Sequence, residues 1–220
     1  GGSTIPSTPS VPSTPDKPST GEGEGNTPTT PAEKFIDLGN HTWAKDAIYR
    51  LADKGVVNGT SENTYSPAAN IKRADFAIML VRAFGITQGE GENFADVDAN
   101  KYYAEELRLA KAAGIVNGIG ENKFNPEGQI TRQDMMLMLS RALDAMEVEL
   151  SKADRTVLAD FADAAEISDY AADAVSRVVA SGIIAGAICG LIAVLVVKFL
   201  FPIVDKGLDK LSVKLRKSNK

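Results

Sequence analysis

The feature that most constrains this chain is that it repeats itself. Displaced by 59 residues, Phe35-x-Asp37 falls on Phe94-x-Asp96, Trp43 on Tyr102, Gly55 on Gly114, and Val57-Asn58-Gly59 on Val116-Asn117-Gly118. The register continues without a gap, so that Tyr65-x-Pro67 meets Phe124-x-Pro126, Ile71-Lys72-Arg73 meets Ile130-Thr131-Arg132, and Leu80-x-Arg82 meets Leu139-x-Arg141. A third copy opens at Phe161-x-Asp163 and, with one extra residue, runs through Tyr170, Ala174-Val175 and Gly182-Ile183-Ile184 to Gly186, where the match stops. A period of this size marks a supersecondary unit that buries its apolar face only by stacking on its neighbours. The expected organisation is a linker over 1–33, repeats over 34–92 and 93–151, a truncated third repeat over 152–186, an apolar segment over 187–204 and a basic tail over 205–220.

Inside one copy, Trp43, Ala47, Ile48 and Leu51 lie at helical spacing, and Gly55 follows as a left-handed cap, which predicts a first helix of about three turns. A polar loop comes next. The second helix places Phe76, Met79, Leu80 and Ala83 on one face. In the second copy that helix starts with Thr131 as N-cap and Asp134 three residues on, with Ile130 and Met135 placed as a hydrophobic staple. The first copy has Lys72 where Thr131 stands, which predicts a helix start weaker by about 1 kcal/mol, the usual value of a lost cap.

Residues 1–31 are almost entirely Ser, Thr, Pro, Gly and Glu, too polar to offset their ordering entropy and proline-rich enough to stay extended. They read as a disordered spacer, either a stalk through a wall layer or an ordinary interdomain linker. The net charge of -5 disfavours nucleic acid as a main partner. The single cysteine, Cys189, rules out an internal disulfide. The chain opens Gly1-Gly2-Ser3 without a signal peptide, as expected of a processed product or a fragment whose N-terminal partner is elsewhere.

Where the third copy should supply its loop and second helix, Ile183 to Val204 is an apolar run broken only by Lys198. That length crosses a bilayer. Lys198 can snorkel, and six bases against Asp205 and Asp209 follow the run, which predicts a C-terminus inside the cell. Gly182, Gly186 and Gly190 have the spacing that lets membrane helices approach closely, so a homo-oligomer is one expected outcome. Two alternatives stay open: a buried helix that completes the repeat array, and a tail foreign to the repeats through fusion or a shifted reading frame.

Chemistry is not signalled. Asp96-x-Asp98-x-Asn100 has the start of a calcium loop, yet Lys101 stands where glycine is required and Leu107 where the bidentate acid should be. His41 is the only histidine, and no nucleophilic triad or metal cluster can be assembled around it. No catalytic residue, cofactor or metal is expected.

The F-x-D start, the aromatic before an A-I-x-x-L helix, the G-[VI]-[VI]-x-G turn, the [FY]-x-P loop and the I-[TK]-R-[AQ]-D helix start resemble S-layer homology repeats over residues 35 to about 186. The resemblance implies an all-α fold of helix-loop-helix repeats about a pseudo-threefold axis. Its implied function is non-catalytic anchoring in the bacterial cell envelope through secondary cell-wall polysaccharide, often carrying pyruvylated N-acetylmannosamine. Arg73 and Arg132, with Asp75 and Asp134 beside them, open the second helix of each copy. An arginine beside free helix N–H groups makes an anion site that suits a carboxylate; the other reading is an arginine paired with an acid across the repeat interface. Trp43, Tyr102 and Tyr103 could stack on sugar faces, although their place at a helix start followed by apolar spacing favours partial burial. Gly59 and Gly118 could admit a ligand to the backbone or only close a turn.

Overall fold

The computed structural model describes residues 34–183. The expected spacer, the apolar segment 187–204 and the basic tail lie outside the described residues. Among the described residues there are five α-helices and no strand: α1 (Thr42–Asp53), α2 (Arg73–Ala83), α3 (Ala104–Ala112), α4 (Arg132–Ala145) and α5 (Asp169–Ala180). No helix among them is long and apolar enough to cross a membrane.

The first helix of each copy ends as the sequence predicts. Gly55, Gly114 and Gly182 take φ of +70°, +73° and +67° directly after α1, α3 and α5, the left-handed geometry that glycine adopts without a Cβ penalty. Each glycine N–H returns to the last turn, from Gly55 to Ala52 O at 2.9 Å, from Gly114 to Lys111 O at 3.0 Å and from Gly182 to Val179 O at 2.9 Å.

The second helices pack across the repeat boundaries: α2 lies on α3, α4 lies on α5, and α2 meets α4. This placement corrects the one-sided reading of α2. Phe76, Ala77, Ile78, Leu80 and Val81 are all buried, because neighbours cover the helix on more than one side. One apolar core runs through both full repeats and includes Phe35, Ile48, Leu51, Phe76, Leu80, Phe94, Leu107, Phe124 and Leu143. A smaller cluster under α5 joins Met136, Leu158, Ala171, Val175 and Val178. At roughly 1.5–3 kcal/mol for each large side chain removed from water, this burial is the main term holding the helices together.

The starts of α2 and α4 differ as predicted, but the consequence differs from expectation. Thr131 Oγ1 accepts the Asp134 N–H at 3.2 Å and caps α4. Lys72 makes no such bond. The first N–H groups of α2 instead donate into the loop of the second repeat, Arg73 N to Gly128 O at 2.8 Å and Ala74 N to Pro126 O at 3.0 Å. Ile130 N donates to Ile71 O at 3.0 Å alongside. The missing side-chain cap is therefore replaced by backbone carbonyls from the neighbouring repeat, and the predicted weakness is compensated.

The F-x-D aspartates tie each repeat's start to its [FY]-x-P loop. Asp37 accepts from Tyr65 N at 3.0 Å and Ser66 N at 2.7 Å, and Asp96 accepts from Phe124 N at 2.9 Å and Asn125 N at 2.8 Å. Burial alone would raise the Asp37 pKa, but the two N–H donors outweigh it and the net shift is downward. A depressed pKa contributes stability above the unfolded value near 4, which is lost as the pH falls through the folded value. Asp37→Asn is accordingly expected to lower the thermal midpoint at pH 7, and the gap from wild type should close below about pH 4. Thermal unfolding across a pH series checks this; an unchanged gap at low pH would assign the loss to geometry alone.

Candidate functional site

The repeat builds the same groove twice. The first is lined by Val57, Asn58 and Gly59 of the turn after α1, by Asp75, Met79 and Arg82 of α2, and by Tyr102 at the start of α3, and encloses about 500 Å³. The second is lined by Val116, Asn117 and Gly118, by Asp134, Met138 and Arg141 of α4, and by Tyr170 in the first turn of α5, and encloses about 430 Å³. Each groove thus takes its turn and its second helix from one repeat and its aromatic wall from the next. Both volumes suit a small ligand such as one or two sugar rings.

The aromatic walls correct the expectation of partial burial for Trp43 and Tyr102, while Tyr103 is buried as expected. Trp43, Tyr102 and Tyr170 hold equivalent positions and are 58%, 61% and 60% exposed, whereas the adjacent Tyr103 is buried. The inward-facing apolar role at this helix start falls to Tyr103, which leaves the Tyr102 ring free along the groove. Tyr102 OH donates to Asp75 Oδ1 at 2.6 Å, and Tyr170 OH donates to Asp134 Oδ1 at 2.8 Å. Partial desolvation, followed by these acids, pushes both phenols upward in pKa, so they stay protonated donors at neutral pH.

Arg73 forms the floor of the second groove. Its side chain is 8% exposed; NH1 donates to Asp134 Oδ2 at 2.7 Å and Nε donates to Phe124 O at 2.9 Å. The guanidinium lies 4.8 Å from the Phe124 ring centroid, in cation–π range. The N–H groups expected to be free beside it are engaged by Gly128 and Pro126. Arg73 therefore pairs with an acid across the repeat interface, and the open helix terminus expected there is absent.

Arg132 is placed differently from Arg73. Its NH1 stands 3.6 Å from Asp163 Oδ2, beyond hydrogen-bond length, and its side chain is 31% exposed. It lines a third and smaller cavity with Gln133, Met136, Phe161 and Ile167. The two arginines therefore do not converge on one site. Gln133, which sequence reasoning passed over, fixes the start of α5: its Oε1 accepts from Ser168 N at 2.8 Å and its Nε2 donates to Tyr170 OH at 2.9 Å.

Gly59 and Gly118 line the two grooves at φ of +85° and +78°. A Cβ at Gly59 would strike Thr64 O and the Phe35 ring, and one at Gly118 would strike Lys123 O and the Phe94 ring. Close packing against their own repeat accounts for both glycines.

Asp96 and Asp98 do not converge as a calcium loop would require, since Asp96 holds the Phe124 loop and Asp98 Oδ1 accepts from Asn100 N at 2.9 Å. Among the described residues no three His, Cys, Asp or Glu side chains gather as a metal site.

Residues 34–77 and 93–136 match the S-layer homology domain. The chain carries two S-layer homology domains. Members of this family anchor surface proteins to the cell wall. The chain is 32% identical over 152 residues to an endoglucanase of Bacillus sp. (strain KSM-635), covering 69% of this chain and 16% of the relative. It is 32% identical over 145 residues to the Surface-layer 125 kDa protein of Lysinibacillus sphaericus, covering 66% and 12%. It is 31% identical over 118 residues to S-layer protein EA1 of Bacillus anthracis, covering 53% and 14%. The S-layer homology region thus accounts for a small part of each relative's length, and it accompanies both an enzyme and S-layer proteins.

Proposed function

We propose that these S-layer homology repeats bind an acidic secondary cell-wall polysaccharide, with the two grooves as glycan subsites and with no catalysis of their own. The observation that carries this reading is the exposed tyrosine, 61% and 60% accessible, standing twice over the same turn-and-helix groove. An amphipathic ring with its hydroxyl held by an acid offers a flat face for a sugar ring and a fixed polar edge for its hydroxyls. Asn58 and Asn117 add amide groups at the same place. The shared segment in an endoglucanase and in S-layer proteins supports a role separable from whatever each whole protein does.

The site residues divide by role in this proposal. Tyr102 and Tyr170 stack, Asp75 and Asp134 orient them, Gly59 and Gly118 keep the turn tight, and Arg73 holds Asp134 from below. Arg132 lies beside third-copy residues outside the two grooves, and we place it and the exposed Trp43 at the edge of the binding surface. Arg82 and Arg141, which line the two grooves, are the cations that a pyruvyl ketal on the glycan would meet, and the segment 187–204 adds membrane anchorage alongside wall binding.

The test is co-sedimentation of the chain with purified, lipid-free cell walls, which separates glycan binding from any membrane contribution. Binding is expected to native walls and to disappear once the secondary polysaccharide is extracted. Retention on extracted walls, or no binding by a helical, cooperatively folded protein, would refute the glycan reading.

A further inference from the structure

The second repeat shows what its [FY]-x-P loop rests on. The Phe124 ring stacks on Phe94 with centroids 5.2 Å apart, and the Phe124 and Asn125 N–H groups donate to Asp96. From the preceding repeat, the Arg73 guanidinium covers the same ring and donates to Asp134 at the following helix start. The loop returns carbonyls to the Arg73 and Ala74 N–H groups. Three fixed features thus receive this half-repeat: a phenylalanine, an aspartate two residues on, and an arginine of the repeat before.

The same three features recur at the third copy. Arg132, Phe161 and Asp163 correspond to Arg73, Phe94 and Asp96. They line one cleft of about 250 Å³ with Met136, Leu158 and Ile167. Among the described residues, no loop lies on them. Phe35 and Phe94 are 0% and 4% exposed, whereas Phe161 is only half-buried. The Asp163 carboxylate accepts no N–H among the described residues and is 56% exposed, although Asp37 and Asp96 each hold two. The Arg132 and Gln133 N–H groups, equivalent to those of Arg73 and Ala74, likewise donate to no described residue. The one contact present, Arg132 to Asp163 at 3.6 Å, is a loose surface pair that costs little to part.

We infer that this cleft docks the second half of an S-layer homology repeat supplied by another polypeptide. The occupant lays its [FY]-x-P aromatic between Phe161 and Arg132, gives two loop N–H groups to Asp163, and sets the acid of its helix start against Arg132. Residues 184–220 contain neither an [FY]-x-P nor an Ile-x-Arg sequence, so they do not carry this chemistry. A second copy of the chain is a poor donor, because it too has three first halves against two second halves and brings an unfilled cleft of its own. The site lies outside both grooves, so the inference stands apart from the glycan reading and makes the chain a coupler between surface proteins.

The experiment is calorimetric titration of the full chain with a synthetic peptide of residues 119–146, which contains Phe124, Pro126 and Asp134. One peptide should bind per chain. Arg132→Asp should weaken binding at least about tenfold, and a peptide carrying Asp134→Arg should restore it on that variant. Asp163→Asn in the chain and Phe124→Ala in the peptide should each weaken it as well. Because the free peptide must order on binding, the same segment is also appended after Lys220 through a flexible linker, which raises its effective concentration to about the millimolar range. The thermal midpoint should then rise, and Arg132→Asp should cancel the rise. Absence of both peptide binding up to about 1 mM and a higher midpoint overturns the inference. Binding indifferent to Arg132 and Asp163 also overturns it, by placing the peptide elsewhere. So does dimerisation of the chain that Arg132→Asp abolishes, since the occupant would then be a second copy.

Discussion

Arg73→Ala is expected to destabilise the protein by about 3–5 kcal/mol, the usual consequence of removing one partner from a buried ion pair. The arginine is 8% exposed and Asp134 17%, so the abandoned carboxylate keeps little access to water and loses the cation hydrogen-bonded to it. Phe124 O loses the Nε–H donor at 2.9 Å, and the Phe124 ring loses the guanidinium packed on it. Since α2 and its neighbouring loop are joined at the same place by the Arg73 and Ala74 N–H groups, the damage reaches the joint between repeats as well as one side chain. Urea unfolding followed by circular dichroism measures it. Arg73→Lys should recover only part of the loss, because a single ammonium cannot serve Asp134 and Phe124 O with the geometry of the planar fork. A loss below about 1 kcal/mol, the range of surface pairs, would mean that the pair is solvated in solution.

Gly118→Ala is expected to cost about 3 kcal/mol, combining a left-handed backbone at φ +78° with overpacking of a core contact. The added methyl meets Lys123 O and the Phe94 ring. Neither can move freely: the Lys123 carbonyl accepts from Ile119 N at 2.7 Å, and Phe94 is buried and stacked on Phe124. Gly114→Ala provides the comparison, because it has nearly the same φ, +73°, with no neighbour within contact of a Cβ. That variant should lose only the conformational part, about 1–2 kcal/mol. The difference between the two midpoints in urea therefore isolates the steric term. Equal losses would show that the Phe94 ring relaxes at little cost.

How much of this was legible beforehand depends on whether a feature lives inside one repeat or between two. The helix ends at Gly55, Gly114 and Gly182 and the Thr131 cap follow from local backbone chemistry, and the sequence alone predicted them. The α2 helix looked one-sided because periodicity reports how a helix is patterned and says nothing of how many neighbours cover it. Lys72 looked like a defect for a related reason, since the carbonyls that replace its cap come from Pro126 and Gly128, more than fifty residues away. The choice between ligand and structural roles for Arg73 turned on the position of Asp134, which repeat alignment cannot supply. Tyr102 and Tyr103 are chemically alike, and only the packing decides which one faces inward.

The joint around Arg73, between the two full repeats, is polar in one sense. Repeat 1 contributes the arginine and the helix N–H groups, and repeat 2 contributes the aspartate and the loop carbonyls. Each unit thus carries a plug at one face and a socket at the other, and both are encoded within the same 59-residue stretch. Duplication of a whole unit at the gene level therefore creates a compatible joint immediately, with no compensating substitution. Arrays of this kind can lengthen or shorten by complete units during evolution, whereas a break inside a unit separates plug from socket.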